Sequence, residues 1–396
     1  MAYSANVERL RPSATIAVST LAKRLRAEGR DIIDLSAGEP DFDTPAFIAD
    51  AAVDGIRAGK TRYTPVAGMP ELRKAIAAGL SERAGREVSW ESVVVSSGAK
   101  QALFNACFSL FGPGDEVLVA TPYWTSYPEI VGLARAEPVF VTGSEALDFR
   151  LTPGDLDEVA GDRTRGLILS TPSNPTGSVY SLDEFAAVAA WARSRGIWLI
   201  ADEIYRQIYF GEGGEAPGLL DLPPDVLGPH VLIDGASKSF AMTGWRLGFS
   251  VTDPDLARKM TALQSHVTSN AATPSQVAAL AAYTRVDSTR SAVTEMREAF
   301  RRRRDLVVGL FDELLPEFDY VKPEGAFYLY FRVDSLFGET MDGATAFCSS
   351  LLEETGVAMV PGAAFGDDRW VRMSYATSDH LLNEAISRMA AALFAR

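Results

Sequence analysis

The sequence predicts an α/β protein: a large domain whose mostly parallel sheet is flanked by helices, joined to a smaller α+β domain. Two observations carry the large domain. Short runs of Val, Leu and Ile recur along the chain without alternation, and amphipathic helical patterns separate them. Strands buried on both faces read as unbroken apolar runs, and a crossover helix between them makes the pairing parallel. A third observation, a change of texture beyond about residue 285, carries the small domain. There a long charged helical pattern gives way to an aromatic strand. The boundaries drawn are 46–290 for the large domain, with 1–45 and 291–396 forming the small one, which is expected to close over the site. A chain of 396 residues, 47% hydrophobic, is long enough to build both cores.

Taken in order, the first strand of the sheet is Val93–Ser96, followed by Ser97-Gly98-Ala99-Lys100 and a helix from Gln101 to Leu110. Residues 117–120 form the next strand and end in Thr121-Pro122-Tyr123-Trp124. Residues 167–170 run into Pro172-Ser173-Asn174-Pro175-Thr176-Gly177. A helix then opens on Ser181-Leu182-Asp183-Glu184, where hydroxyl and carboxylate satisfy each other's end of the first turn. Phe185, Val188, Ala189 and Ala192 keep helical spacing, and Gly196 stops it. Strands follow at 197–201, ending in Asp202-Glu203-Ile204-Tyr205, and at 231–234. In the small domain, a helix over Met296–Leu315 leads to a strand over Glu324–Phe331. A helix near 343–355, a loop at Val360-Pro361-Gly362, a strand at Trp370–Ser374 and a helix from Leu381 complete it.

Charge and composition remove several functions. The 38 basic residues against 52 acidic ones give a net charge of −14 and a pI near 4.8. Such a chain has no general positive field for nucleic acid. The three histidines are scattered, so neither a histidine metal site nor a His-dependent triad is expected. The two cysteines, Cys107 and Cys348, stand in apolar surroundings and read as buried free thiols. No apolar run has signal-peptide or membrane-span character, so a cytoplasmic protein without a membrane partner is expected.

The chemistry lies at strand ends, where ligands of such sheets bind. Gly98 to Lys100, Trp124, Asn174, Asp202, Tyr205 and Lys238 all fall there. In Gly235-Ala236-Ser237-Lys238-Ser239, with Arg246 eight positions on, a lysine amine can form an imine with an aldehyde and an arginine fork can hold a phosphate. Pyridoxal phosphate carries both groups. A surface lysine in a Gly/Ser-rich loop is the plain alternative. Asp202 at a buried strand end calls for a cationic partner, such as a pyridinium N–H, or else caps a turn or pairs with an arginine. Asn174 and Tyr205 suit hydrogen bonds to the ring's phenolic oxygen, though Asn-Pro-Thr-Gly is also an ordinary turn and Tyr205 an ordinary core residue. Trp124 can stack on the ring, and the Gly98 and Ala99 N–H groups at a helix start can hold the phosphate.

These motifs resemble the class I, fold-type I aminotransferases, and most closely the bacterial aspartate aminotransferases of the Iβ subgroup. The likeness spans nearly the whole chain: Pro12-Ser13-Ala14-Thr15, Gly38-Glu39-Pro40-Asp41-Phe42, Arg62-Tyr63-Thr64-Pro65, Lys100 to Asn105, Pro122-Tyr123-Trp124, Asn174 to Gly177, Asp202 to Tyr205, the lysine signature, and Arg372 to Thr377. The resemblance implies that Arg372 binds the substrate α-carboxylate with Asn174, Trp124 and the Gly38 backbone. It implies that Arg246 and Ser237 hold the cofactor phosphate, and that Tyr63 reaches the phosphate of a neighbouring subunit in a homodimer with shared sites. Lys100 is placed beside the cofactor and, with Thr15, at the distal carboxylate of aspartate. Lys238, Asp202 and Tyr205 are the implied catalytic residues. The implied reaction passes an amino group from L-aspartate to 2-oxoglutarate by a ping-pong route, giving oxaloacetate and L-glutamate. A prephenate or broad aromatic aminotransferase is the nearest alternative, with Arg11 as a further cation near the distal end. A lyase of the same fold, such as cystathionine β-lyase, is a more distant one, and a regulator would need a basic helix-turn-helix segment that the chain lacks room for ahead of the site motifs. Three departures bear on specificity: Arg206 where an acid is frequent, Gly235 where some members have Ser, and no arginine across Ser269-Asn270-Ala271-Ala272.

Overall fold

A computed structural model describes residues 3–8, 10, 12–339 and 341–394. The first strand, β1 (Ile33–Asp34), stands apart from the central sheet. The next seven build that sheet: β2 (Val93–Ser96), β3 (Glu116–Thr121), β4 (Glu137–Thr142), β5 (Thr164–Ser170), β6 (Trp198–Asp202), β7 (His230–Gly235) and β8 (Gly248–Val251). They lie in the order β2-β8-β7-β6-β5-β3-β4. β8 is antiparallel to both its neighbours, and every other pairing is parallel. The carboxyl ends of β2, β3, β5, β6 and β7 therefore share one edge.

Successive residues of these strands serve opposite cores, which is why the runs do not alternate. Val119, Ile168, Ile200, Val231 and Ile233 pack with Leu103 and Met260 from the helices Ala99–Leu110 and Pro254–Val267. Leu118, Leu167, Leu169, Leu199 and Leu232 pack on the other face with Ile76, Phe185 and Ala278. Phe185 belongs to the helix Leu182–Ser194, whose Ser181–Glu184 capping box is present as expected. Each such side chain removed from water stabilises the sheet by about 1.5–3 kcal/mol.

A second core gathers the chain's two ends. β9 (Tyr320–Val321), β10 (Tyr328–Arg332), β11 (Val357–Ala358), β12 (Val360–Pro361) and β13 (Trp370–Ser374) complete the strands. An antiparallel sheet runs β12-β13-β10-β9, while β11 pairs in parallel with β1. Phe300, Phe311, Phe327, Phe331 and Met389 fill this core together with Ile204 and Tyr205 from the end of β6.

Several expectations are corrected. The charged helix begins at Val286 rather than Met296, running to Leu314. The aromatic strand starts at Tyr328, because Gly325 bridges to Tyr209 instead and the Ala326 N–H bonds Ile208. Val360–Pro361 is strand, not loop; β12 is an edge strand, where a proline costs no ladder bond. The sequence also hid β4, an edge strand carrying Pro138, the four-residue β8, and the helix Ala14–Ala27. Cys107 and Cys348 are buried free thiols. Among the described residues no helix is long and apolar enough to cross a membrane, and no cluster of ligating side chains could hold a metal. Arg11 lies outside the described residues.

Candidate active site

Beyond the carboxyl edge of the sheet lies a cavity of about 360 Å³, within the size range of small-molecule sites. Of the residues assigned catalytic, cofactor or α- and distal-carboxylate roles from the sequence, those described line it except Gly98, which stands just behind Arg246, and Tyr63; Arg11 is not among the described residues. Lys238 sits in the short helix Ala236–Ser239 that follows β7 directly. Its Nζ donates to the Gly38 carbonyl and lies 5.8 Å from the ring centroids of Tyr205 and Phe327. Burial lowers its pKa to about 8, Glu39 resists the fall, and Arg372 and Arg246 add to it. The amine is thus close to half neutral at mildly alkaline pH, as a nucleophile or base must be.

Asp202 ends β6 and is 5% exposed. Tyr127 Oη donates to it at 2.8 Å and the Ile204 N–H at 3.2 Å. Burial raises its pKa to about 6 despite the Tyr127 bond. Tyr127 went unread in the sequence, although it stands one helical turn after Trp124 at the start of the helix Tyr127–Leu133.

Arg372, on β13, is 1% exposed. Its Nη1 donates to Asn174 Oδ1 at 3.0 Å and its Nη2 to the Ser36 carbonyl at 2.8 Å. Its Nε has no partner, and among the described residues no carboxylate pairs with it. The guanidinium carbon lies 4.4 Å from the Tyr328 ring centroid and 5.0 Å from that of Phe365. A guanidinium cannot shed its charge in a protein, so a buried one held by neutral groups alone calls for an anion. Ser36 is a second residue that sequence reasoning missed, though it stands two positions before Gly38.

An anion cradle completes the cavity. Gly98 caps the twelve-residue helix Ala99–Leu110 with φ of +89°. A Cβ there would lie 2.7 Å from Arg246 Nη2, so only glycine lets the fork reach the helix N-terminus. Arg246 itself holds φ of +52° and donates from Nη1 to the Thr243 carbonyl at 2.9 Å. A non-glycine residue kept in that region marks a position the surroundings over-determine. Ser237 is buried beside it. Lys100 Nζ lies 4.9 Å above the Trp124 ring, and burial lowers its pKa, with Arg246 acting the same way. Thr15 reaches the cavity from the helix Ala14–Ala27. Tyr205 Oη meets Tyr328 Oη at 2.7 Å. Tyr63 is 91% exposed, away from this cavity. Arg206 is also elsewhere, buried against Glu203 and Glu215.

The chemistry of these groups selects a ligand. The amine needs a carbonyl, the cradle an anion, and Asp202 a cation to make its buried charge tolerable. Pyridoxal phosphate offers all three and fits the residues present, so fold and site define the class of pyridoxal-phosphate enzymes. Comparison with known proteins narrows the class: residues 30–389 match the family described as aminotransferase class I and II, and the chain belongs to that family. It is a pyridoxal-phosphate-dependent aminotransferase. Aspartate aminotransferase of Streptomyces avermitilis is 42% identical, over 98% of this chain and 95% of that one. Aspartate/prephenate aminotransferase of Cereibacter sphaeroides is 41% identical, with 98% of each chain covered. Among solved structures, aspartate aminotransferase from Thermus thermophilus with maleate superposes with a TM-score of 0.92 at 38% identity, covering 98% of this chain and 99% of that chain.

Proposed function

We propose that the chain transfers the α-amino group of L-aspartate to 2-oxoglutarate, with the roles its resemblance implies. One observation carries the reading: Arg372 is buried, lacks a carboxylate partner, and faces the cavity that holds Lys238 and Asp202. Its fork and Asn174 receive the α-carboxylate bidentately. That places the α-carbon toward Lys238, whose neutral amine takes the α-proton and returns it one atom away. When bound, pyridoxal phosphate supplies the electron sink for the carbanion. Asp202, ionised above about pH 6, keeps a positive ring nitrogen beside it. The Gly98 and Ala99 N–H groups, Ser237 and Arg246 would hold the cofactor's phosphate, Trp124 would cover its ring, and Tyr205 would donate to its phenolic oxygen. Lys100 and Thr15 face the distal carboxylate. The relatives named aspartate aminotransferases support the donor, as does the Thermus structure with maleate, a four-carbon dicarboxylate.

Two further parts belong to this reading. Residues 46–290 and the pair 1–45 with 291–396 act as two domains that close on the substrate, since Asp202 and Lys238 come from one and Arg372 and Gly38 from the other. Exposed Tyr63 serves the phosphate of a second copy of the chain, so the working form is a homodimer.

The test is a single half-reaction. Cofactor-loaded protein mixed with L-aspartate and no acceptor is expected to release one oxaloacetate per site. No release would reject aspartate as donor. Transfer from L-glutamate to prephenate would then support the activity named for the Cereibacter relative.

A further inference from the structure

One fully buried side chain touches both halves of this site and has no part in the roles above. Tyr328 opens β10, where it pairs with Ser374 of β13. Arg372 is therefore its diagonal neighbour on the same face of the sheet, within reach of a large side chain. The Tyr328 ring lies under the Arg372 guanidinium at 4.4 Å, a cation–π contact out of water. Its hydroxyl meets Tyr205 Oη at 2.7 Å. Gly38 boxes that hydroxyl in, because a Cβ there would come within 3.2 Å of it.

Of the two hydroxyl protons only one lies in the bond, and which ring donates it matters. Burial raises the pKa of both phenols and the Arg372 charge opposes the rise in both, but Arg372 stacks directly on the Tyr328 ring at 4.4 Å and the rise is the smaller there. Tyr328 is then the better donor. A bond from Tyr328 to the Tyr205 oxygen leaves the Tyr205 proton free for the cavity and polarises that hydroxyl into a stronger donor. We propose that Tyr328 is a positioning residue joining the two halves of the site: its ring fixes the Arg372 fork, and its hydroxyl turns the Tyr205 proton toward the cofactor oxygen. The inference rests on the roles proposed above for Arg372 and Tyr205.

Two variants separate the two contacts. Tyr328→Phe keeps the ring under Arg372 and removes the hydroxyl; Tyr328→Leu removes both. The first readout needs no substrate: the pH titration of the visible absorption of protein loaded with pyridoxal phosphate. A weaker Tyr205 donor leaves more negative charge on the cofactor oxygen, so the neighbouring Lys238 nitrogen keeps its proton to higher pH. The titration midpoint of Tyr328→Phe is expected to rise by roughly half a unit or more. Its KM for aspartate should stay within about twofold of the wild type, because the stack remains. Tyr328→Leu should raise KM a further threefold to tenfold or so. Thermal melting of each loaded variant checks that it folds, and Tyr328→Phe decides the hydroxyl's role even where Tyr328→Leu does not fold. An unmoved midpoint in Tyr328→Phe overturns the hydroxyl's role, and an unmoved KM in folded Tyr328→Leu overturns the ring's. Should the wild type itself reject aspartate, that failure belongs to the donor assignment, and the titration still decides on Tyr328.

Discussion

Asp202 keeps a nearly buried carboxylate at the floor of the cavity, and its cost can be measured. Its pKa of about 6 in the fold stands above the usual aspartate value of 3.8. Between those values the folded protein binds the extra proton, so this group's contribution to stability is complete below pH 3.8 and is lost as pH rises through 6. Two pH units correspond to about 3 kcal/mol. Asp202→Asn escapes that loss. Its stability relative to the wild type should improve by up to about 3 kcal/mol between pH 4 and 7, measured by denaturant unfolding of the ligand-free proteins. The same variant should slow the aspartate half-reaction by roughly a hundredfold or more. A difference that stays flat with pH would mean the carboxyl is not raised. Lys238→Ala, by contrast, should slow the half-reaction by roughly a thousandfold or more while leaving the melting temperature close to wild type. Legibility at this scale followed chemistry. That Lys238, Arg246 and Asp202 share one cavity was readable, because few other residue types suit the proposed tasks in that order. Tyr127, Ser36 and Tyr328 were not, because a phenol near a strand end or a backbone carbonyl looks like packing until its neighbours are known.

Among the elements, the helix Pro254–Val267 does more than cover the sheet. Its Gln264 is wholly buried and accepts at Oε1 from Ser96 Oγ at 2.7 Å and Asn105 Nδ2 at 2.9 Å. Its Nε2 donates to the carbonyls of Val66 at 2.8 Å and Val95 at 2.9 Å. One amide thus ties β2 and the Ala99–Leu110 helix to the segment carrying Tyr63. Gln276 holds that segment from the next helix, bonding Met69 N at 2.7 Å and Thr64 Oγ1 at 3.0 Å. Gln264→Leu matches the volume and leaves those partners unpaired, so it should cost about 3 kcal/mol or more in denaturant unfolding. A loss under about 1 kcal/mol would show that water replaces the amide. None of this was visible in the sequence, where glutamine on a helix reads as surface. The strands buried on both faces were legible, since lack of alternation is itself the signal. β4 and β8 escaped because an edge strand with a proline and a four-residue strand both fall below what periodicity can register.

The whole molecule is proposed to work in pairs, and symmetry makes that testable. Tyr63→Ala and Lys238→Ala damage different parts of one site, and in a shared-site dimer those parts come from different copies. In a mixed dimer the Lys238 of one copy meets the intact Tyr63 of the other, restoring one site of the pair. Random mixing of equal amounts by unfolding and refolding should therefore return roughly a quarter of wild-type activity from two weak parents. A mixture no better than the average of its parents would mean that each chain uses its own Tyr63 or none. The shift in texture after residue 285 coincides with the start of the charged helix at Val286, whose Phe300 and Phe311 fill the core of the chain's two ends. That the chain's beginning joins its end, β1 beside β11, follows from tertiary pairing that no local pattern records.

Arg372 bonds Ser36 across 336 positions and Asn174 across 198, while Lys238 bonds Gly38 across 200. A chain made from its amino end therefore holds Lys238, Asp202 and Gly98 well before Arg372, the proposed grip on the substrate, is synthesised. The Ser36 carbonyl waits through most of translation for its donor, and closing so long a loop is slow. A chain cut short before β13 has Lys238 and Asn174 but not Arg372, the guanidinium that bonds Asn174 in the finished fold. On the roles proposed for these residues, one late strand brings selectivity to an amine laid down long before it.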